Sequence, residues 1–342
     1  MSASTLIRRS DGVEGLSVDD DERRRLANGV VWPGFLGDRV PGWLQRELSD
    51  GLAGVVYFAQ NLRGDVAALS ADIRRSAPLA LIGLDEEGGS VTRLETETGS
   101  TLPSPAQLGV VDDESATRAT GAEIARRCAE LGIDVVLGPV ADVNTDPRNP
   151  VIGTRSFGAD PALVSRHVAA AVRGIQGAGL AACAKHYPGH GDTRLDSHHD
   201  LPRVELTAAE MAGTHLPPFA AAVSAGVGAI MTAHIVVPEW GEQPATLNPR
   251  VLGMLRAHGF DGVLVTDALD MAAIRESVGL GGGAVQALVA GADLLCVGNP
   301  TNPGPAMLVD QDERDFLAVR DAIVAALHTG VLSRDRVEEA AR

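Results

Sequence analysis

The stretch LAACAKHYPGHGDTRLDSH, residues 180–198, opens on five apolar residues and passes directly into a polar loop. Residues 180–184 have the character of a strand covered on both faces: short, apolar and without alternation. Residues 185–198 then hold one lysine, three histidines, two aspartates and two glycines. A strand ends at Ala184 and a loop dense in proton-transfer groups begins. Lys185 is the only lysine in the protein; every other permanently basic side chain is arginine. A compact ammonium is wanted here, and arginine's planar fork is not its equivalent.

Outward from this stretch, similar short apolar runs lie at 29–35, 54–58, 79–84, 134–139, 229–233, 262–266 and 293–297. Amphipathic segments separate them. Residues 116–131 place Ala119, Ile124, Cys128 and Leu131 along one face, and 160–178 start on Asp160-Pro161 and repeat Leu163, Val168, Val172 and Ile175. Residues 206–225, 248–258 and 312–329 read the same way. Eight strand–helix units in succession predict an α/β chain folded as a single-domain (β/α)₈ TIM-type barrel, with a doubly wound sheet as the main rival. The expected division is a polar N-terminal extension over 1–27, packing on or near the barrel, and a catalytic barrel over 28–342.

Composition narrows the partners. The 342 residues carry a formal charge of −16, and the pI is near 4.9. That balance argues against nucleic acid or an anionic membrane as the main partner. Cys128, Cys183 and Cys296 are far apart and odd in number, so they read as reduced core residues, not as a zinc site or disulfide frame. Residues 1–27 show no apolar run before a small-residue cleavage site, and no window approaches eighteen apolar residues. The expectation is a cytoplasmic protein. Oligomeric state is not legible.

In a (β/α)₈ barrel, chemistry gathers where strands end. The polar strand ends are Asp85-Glu86-Glu87-Gly88-Gly89 with Arg93, Asp142-Val143-Asn144 leading to Arg155-Ser156-Phe157, Lys185-His186, Thr232 with His234, and Asp267 with Asp270. Asp85, Arg93, Arg155, Lys185 and His186 form a set suited to paired hydrogen bonds with vicinal hydroxyls. Asp267, a short carboxylate at a strand tip, suits a nucleophile that needs angular precision. Glycines and Pro188 give the loop 188–198 freedom to fold over the barrel mouth, and Asp196 stands two residues before His198, where it can orient the imidazole. A rival assigns His186, His190, His198 and His199 with Asp196 and Asp267 to a divalent metal in an amidohydrolase-like barrel, although no HxH or HExxH spacing is present. The glycines at 281–283 read as a flexible βα loop.

The segment KHYPGHGDTRLDSH resembles the KHFPGHG-x-T-x-x-D-S-H signature of the β-N-acetylhexosaminidases in family 3 of the glycoside hydrolases. LDEEGGSVTRL, NPVIGTRSFG, MTAHI and VTDALDM match further family motifs in the family's order, over residues ~29 to 300. The resemblance implies a barrel that removes terminal β-linked N-acetylglucosamine in two retaining steps. It implies Asp267 as nucleophile, His198 as acid/base and Asp196 as its dyad partner. Asp85, Arg93, Arg155, Lys185 and His186 match positions that grip the sugar. His190 becomes a structural residue within the loop. No metal or organic cofactor is implied, and the partner is a small carbohydrate: a muropeptide fragment, as in peptidoglycan recycling, or a chitooligosaccharide.

Two further alternatives stand beside this reading and the metal-dependent amidohydrolase. A neutral histidine base repels incoming phosphate less than a carboxylate does, so a phosphorylase is the nearest rival. A catalytically silent sugar-binding barrel is the other. The sequence also departs from the family pattern: Ser90 stands where the family has arginine, Glu86 where it has glutamine, and Thr-Asp-Ala surrounds Asp267 in place of Ser-Asp-Asp. Some family members also carry a second α/β domain after the barrel, from which the family's β-glucosidases commonly take their acid/base; a loop histidine makes a lone barrel self-sufficient, which favours the hexosaminidase branch.

Overall fold

The computed structural model describes residues 18–193 and 201–342. Each apolar run gives rise to one strand: β1 (Val31–Pro33), β2 (Gly54–Tyr57), β3 (Leu81–Leu84), β4 (Val135–Val136), β5 (Ala181–Tyr187), β6 (Ala229–Thr232), β7 (Val263–Val265) and β8 (Leu295–Gly298). β2 to β7 pair in parallel and in chain order, and β1 pairs in parallel with β8. A Val265–Leu294 bridge joins β7 to the β8 end, with the Thr266 N–H donating to the Leu294 carbonyl at 3.0 Å. At the β1–β2 seam the Ala53 N–H donates to the Asn28 carbonyl at 3.0 Å. Chain order with the first strand beside the last is a closed (β/α)₈ barrel; a doubly wound sheet would reverse direction at a switch point.

Alternation along the strands sorts side chains onto two faces. Trp32, Val56, Leu137, Cys183, Met231, Val265 and Cys296 form an inner cluster, and the residues between them pack outward against the helices. Trp32 lies across β3, its indole N–H donating to the Leu81 carbonyl at 2.9 Å. A Cβ at position 83 would meet that ring at 2.3 Å, so Gly83 is what lets the tryptophan fill the barrel.

The helices are α1 (Val18–Asn28), α2 (Gly42–Ser49), α3 (Val66–Ser76), α4 (Pro105–Val111), α5 (Glu114–Glu130), α6 (Pro161–Gly177), α7 (Ala208–Thr214), α8 (Pro217–Ser224), α9 (Pro249–Ala257), α10 (Ala272–Arg275), α11 (Leu280–Ala290), α12 (Gln311–Thr329) and α13 (Arg334–Ala340). Helix α1 packs on α12 and crosses residue 27, with Ala27 and Asn28 both buried. The α6 reading holds at Val168, Val172 and Ile175, all buried, and the Asp160 side chain caps the helix by accepting from the Ala162 and Leu163 N–H groups. All three cysteines are free and buried. No helix among the described residues is long and apolar enough to cross a membrane.

Four expectations need correction. The single helix over 206–225 is two, α7 and α8, because Pro217 and Pro218 lack the N–H groups a continuous helix needs. Helix α5 buries Thr117, Gly121, Ile124 and Cys128, while Ala119 is exposed and Leu131 half-buried. Its inward face is set by glycine: a Cβ at Gly121 would lie 2.9 Å from the Ala171 carbonyl of α6. Glycines 281–283 form no loop but the first turns of α11, where Gly281 lets the helix approach the Ala318 carbonyl of α12. Finally, β5 runs three residues past Ala184, so Lys185, His186 and Tyr187 belong to the strand.

Candidate active site

The ends of the strands carry the polar residues to one mouth. Asp85 follows β3, Arg93 comes from the loop beyond it, and Arg155 ends a short 3₁₀ turn (Gly153–Arg155) after β4. Lys185 and His186 close β5, and Asp267 stands two residues past β7. All six line one cavity of about 290 Å³, together with Phe58, Glu87, Leu137, His190, Met231, Met271, Asn299 and Asn302. That volume is at the small end of ligand sites and suits one sugar unit.

Its floor is a charge lattice. The Lys185 ammonium, 2 % exposed, lies 2.6 Å from Asp85 Oδ1 and 2.7 Å from Glu87 Oε1. Arg155 donates from Nε to Glu87 Oε2 at 2.9 Å and from Nη2 to Glu87 Oε1 at 2.8 Å, a bidentate pair. Arg93 Nη2 reaches Asp85 Oδ2 at 3.5 Å, and its buried Nε–H has no partner among the described residues. Burial alone raises carboxylate pKa values, but here cations prevail. Arg155 and Lys185 hold Glu87 well below the usual range, and Lys185 with Arg93 lowers Asp85. Burial works against the Lys185 ammonium, and Asp85 and Glu87 more than offset it. Asp85, Glu87, Lys185 and Arg155 are therefore ionised at neutral pH.

Behind it, Asp142 fixes the start of the loop. The carboxylate, itself fully buried, accepts from His186 Nδ1 at 2.8 Å, from the His186 N–H at 3.3 Å and from the His190 N–H at 2.6 Å. With Nδ1 donating to Asp142, His186 Nε2 is free to accept from Arg155 Nη2 at 3.4 Å. His190 is buried, and that burial lowers its pKa to about 4. Loop residues 188–193 are packed down, not loose. A Cβ at Gly191 would sit 1.8 Å from the Val143 carbonyl, and Asn149 Nδ2 donates to the His190 carbonyl at 2.8 Å. Asp196, His198 and His199 lie outside the described residues.

Sequence reasoning placed Asp85, Arg93, Arg155, Lys185, His186 and Asp267 around one cavity and missed two partners. Glu87 and Asp142 were visible only as polar strand ends, yet they hold three of those side chains. The available signal was spacing: in extended chain, residues two apart share a face, so Glu87 follows Asp85 into the mouth. Glu86 points the other way and accepts from the Arg93 and Leu94 N–H groups at 2.8 and 3.1 Å, pinning the Arg93 loop. Ser90 lies at the rim and shares a hydrogen bond with Thr154 at 3.2 Å.

Comparison with known proteins follows the geometry. The family described as "Glycosyl hydrolase family 3 N terminal domain" matches residues 47–342. A β-hexosaminidase of Thiobacillus denitrificans is 35 % identical over 328 residues, covering 92 % of this chain and 84 % of the relative. "Beta-hexosaminidase A" of Pseudoalteromonas piscicida is 35 % identical over 270 residues, 71 % of this chain but 45 % of that protein. The solved family 3 β-N-acetylglucosaminidase of Paenibacillus sp. superposes with a TM-score of 0.86 at 38 % identity, covering 95 % of this chain and 61 % of that one. This chain thus spans less than two thirds of two of these relatives. Fold and relatives define a barrel of the glycoside hydrolases. Within that class, the chain belongs to glycosyl hydrolase family 3. Membership sets aside the amidohydrolase-like reading.

Proposed function

We propose that the chain is a retaining exo-β-N-acetylglucosaminidase in which Asp267 is the nucleophile. The observation that carries this reading is the position of Asp267 on the same small cavity as Asp85, Arg93, Arg155, Lys185 and His186. Lys185 has three donors and spends two on Asp85 and Glu87, which leaves one for a sugar hydroxyl. The lattice thus grips the ring while Asp267 attacks the anomeric carbon, giving a glycosyl-enzyme. On the sequence pattern, we assign His198 as the acid that protonates the departing oxygen and then the base that activates water, with Asp196 orienting it. No metal or organic cofactor enters these steps.

The names of the relatives support N-acetylglucosaminides as substrates, and a one-sugar cavity supports attack at chain ends. Within that class we propose muropeptide fragments or chitooligosaccharides, and peptidoglycan recycling in the cytoplasm as the setting; three free thiols fit a reducing compartment. The test is hydrolysis of 4-nitrophenyl N-acetyl-β-D-glucosaminide with and without inorganic phosphate. Release of free N-acetylglucosamine at a phosphate-independent rate is expected. Strong phosphate stimulation with N-acetylglucosamine 1-phosphate as product would replace hydrolysis by phosphorolysis.

A further inference from the structure

We propose that His234 is a positioning residue for Asp267, acting through the backbone of Ala268. This rests on the reading of Asp267 as nucleophile. His234 follows β6 and is fully buried, as are Thr232 and Thr246 beside it. Its Nε2 lies 2.9 Å from the Ala268 carbonyl oxygen. A carbonyl can only accept, so Nε2 carries the proton. The N–H of the same residue, Ala268, donates to Asp267 Oδ1 at 2.8 Å. The Ala268 residue is therefore held from one side by the imidazole and holds the carboxylate on the other.

The far side of the ring is fixed as well. Nδ1 lies 2.9 Å from Thr246 Oγ1, which in turn lies 2.9 Å from Thr232 Oγ1 and 3.0 Å from the Ala233 carbonyl. Thr246 sits on a one-turn 3₁₀ segment (Ala245–Leu247), so the ring is clamped between β6 and that turn. The Met271 N–H also reaches the Ala268 oxygen, at 3.2 Å, and the Leu269 and Asp270 N–H groups bond to the β8 carbonyls of Cys296 and Val297 at 3.0 Å. Those three bonds tie the segment to itself and to β8. His234 ties it to β6, the other neighbour of β7: it fixes the 268–269 peptide, and through the Ala268 Cα it limits the rotation of the 267–268 peptide whose N–H holds Asp267. A nucleophile held by a backbone N–H needs that N–H pointed correctly, and small misplacement costs rate steeply.

The experiment compares His234→Asn with His234→Gln. The glutamine amide nitrogen reaches about where Nε2 stands; the asparagine amide matches only Nδ1. A 5-fluoro N-acetylglucosaminyl fluoride traps the glycosyl-enzyme, giving the labelled peptide, the stoichiometry and the rate constant. In wild type the label is expected on the peptide bearing Asp267; label elsewhere would sink the nucleophile reading, independently of His234. For His234→Asn we expect full stoichiometry, labelling and kcat about 100-fold slower, and KM within about threefold. His234→Gln should recover most of the rate. Thr246→Val, which removes the hydroxyl from Nδ1, should slow labelling in the same direction and serves where His234→Asn does not fold. Wild-type labelling rates in His234→Asn or in Thr246→Val, or a glutamine variant as slow as asparagine, would overturn the proposal. A fall in stoichiometry with an unchanged rate constant would overturn it too, because that is a folding defect.

Discussion

Lys185 Nζ stands 2.7 Å from Glu87 Oε1, with both side chains almost wholly out of solvent, and Arg155 grips the same carboxylate from its other side. One carboxylate thus bridges two buried cations on the cavity floor, and Asp85 supplies the second negative charge. Removing one partner of a buried ion pair costs about 3–5 kcal/mol, because the charge left behind has no solvent. Glu87→Gln should therefore lower unfolding free energy by about that amount and raise KM through a displaced Lys185. Urea denaturation with matched kinetics checks it; wild-type stability would mean that Asp85 alone suffices.

Asp267→Ala removes the proposed nucleophile and leaves the lattice of Asp85, Glu87, Arg155 and Lys185 intact. Turnover should fall by at least about 10³-fold while N-acetylglucosamine binding by calorimetry stays within about threefold. Ordinary kcat in this variant would refute the assignment.

Burial holds the His190 pKa at about 4, against 6.5 for the free side chain. Between those values the unfolded chain binds a proton that the folded chain refuses. Stability is then fully present above pH 6.5 and drains as pH falls toward 4, by about 3 kcal/mol for a shift of this size. Burial lowers the His215 pKa in the same direction. Thermal unfolding from pH 7.5 to 4.5 should show a fall in Tm that is smaller in His190→Gln. Equal falls in both proteins would show that His190 does not carry it.

Gly191→Ala tests whether the loop is seated or free. Its Cβ would meet the Val143 carbonyl at 1.8 Å, and that oxygen is backbone. The loop must lift, so Tm should drop and kcat/KM should fall by about tenfold or more. A variant with wild-type Tm and activity would show that the loop does not need this contact.

The barrel was legible because each strand, buried on both faces, writes itself as a short apolar run. The end of β5 was not legible by that rule. Lys185 and His186 continue the strand as polar residues because Asp85, Glu87 and Asp142 receive them. The α5 face is hidden for a related reason: a pattern of apolar side chains passes over Gly121, whose lack of one brings α6 close. The break at Pro217-Pro218 is written in the sequence, because neither proline can donate within a continuous helix. In the site, residue type identified the sugar-gripping candidates, but their partners Glu87 and Asp142 emerge only from three-dimensional pairing.

The most direct test of the central claim is the anomeric configuration of the first-formed product. Proton NMR during early hydrolysis of a β-N-acetylglucosaminide would read it before mutarotation. A covalent intermediate on Asp267 predicts the β-anomer, by two inversions. Initial appearance of the α-anomer would contradict the account, because in a single displacement water is the nucleophile and no enzyme carboxylate attacks.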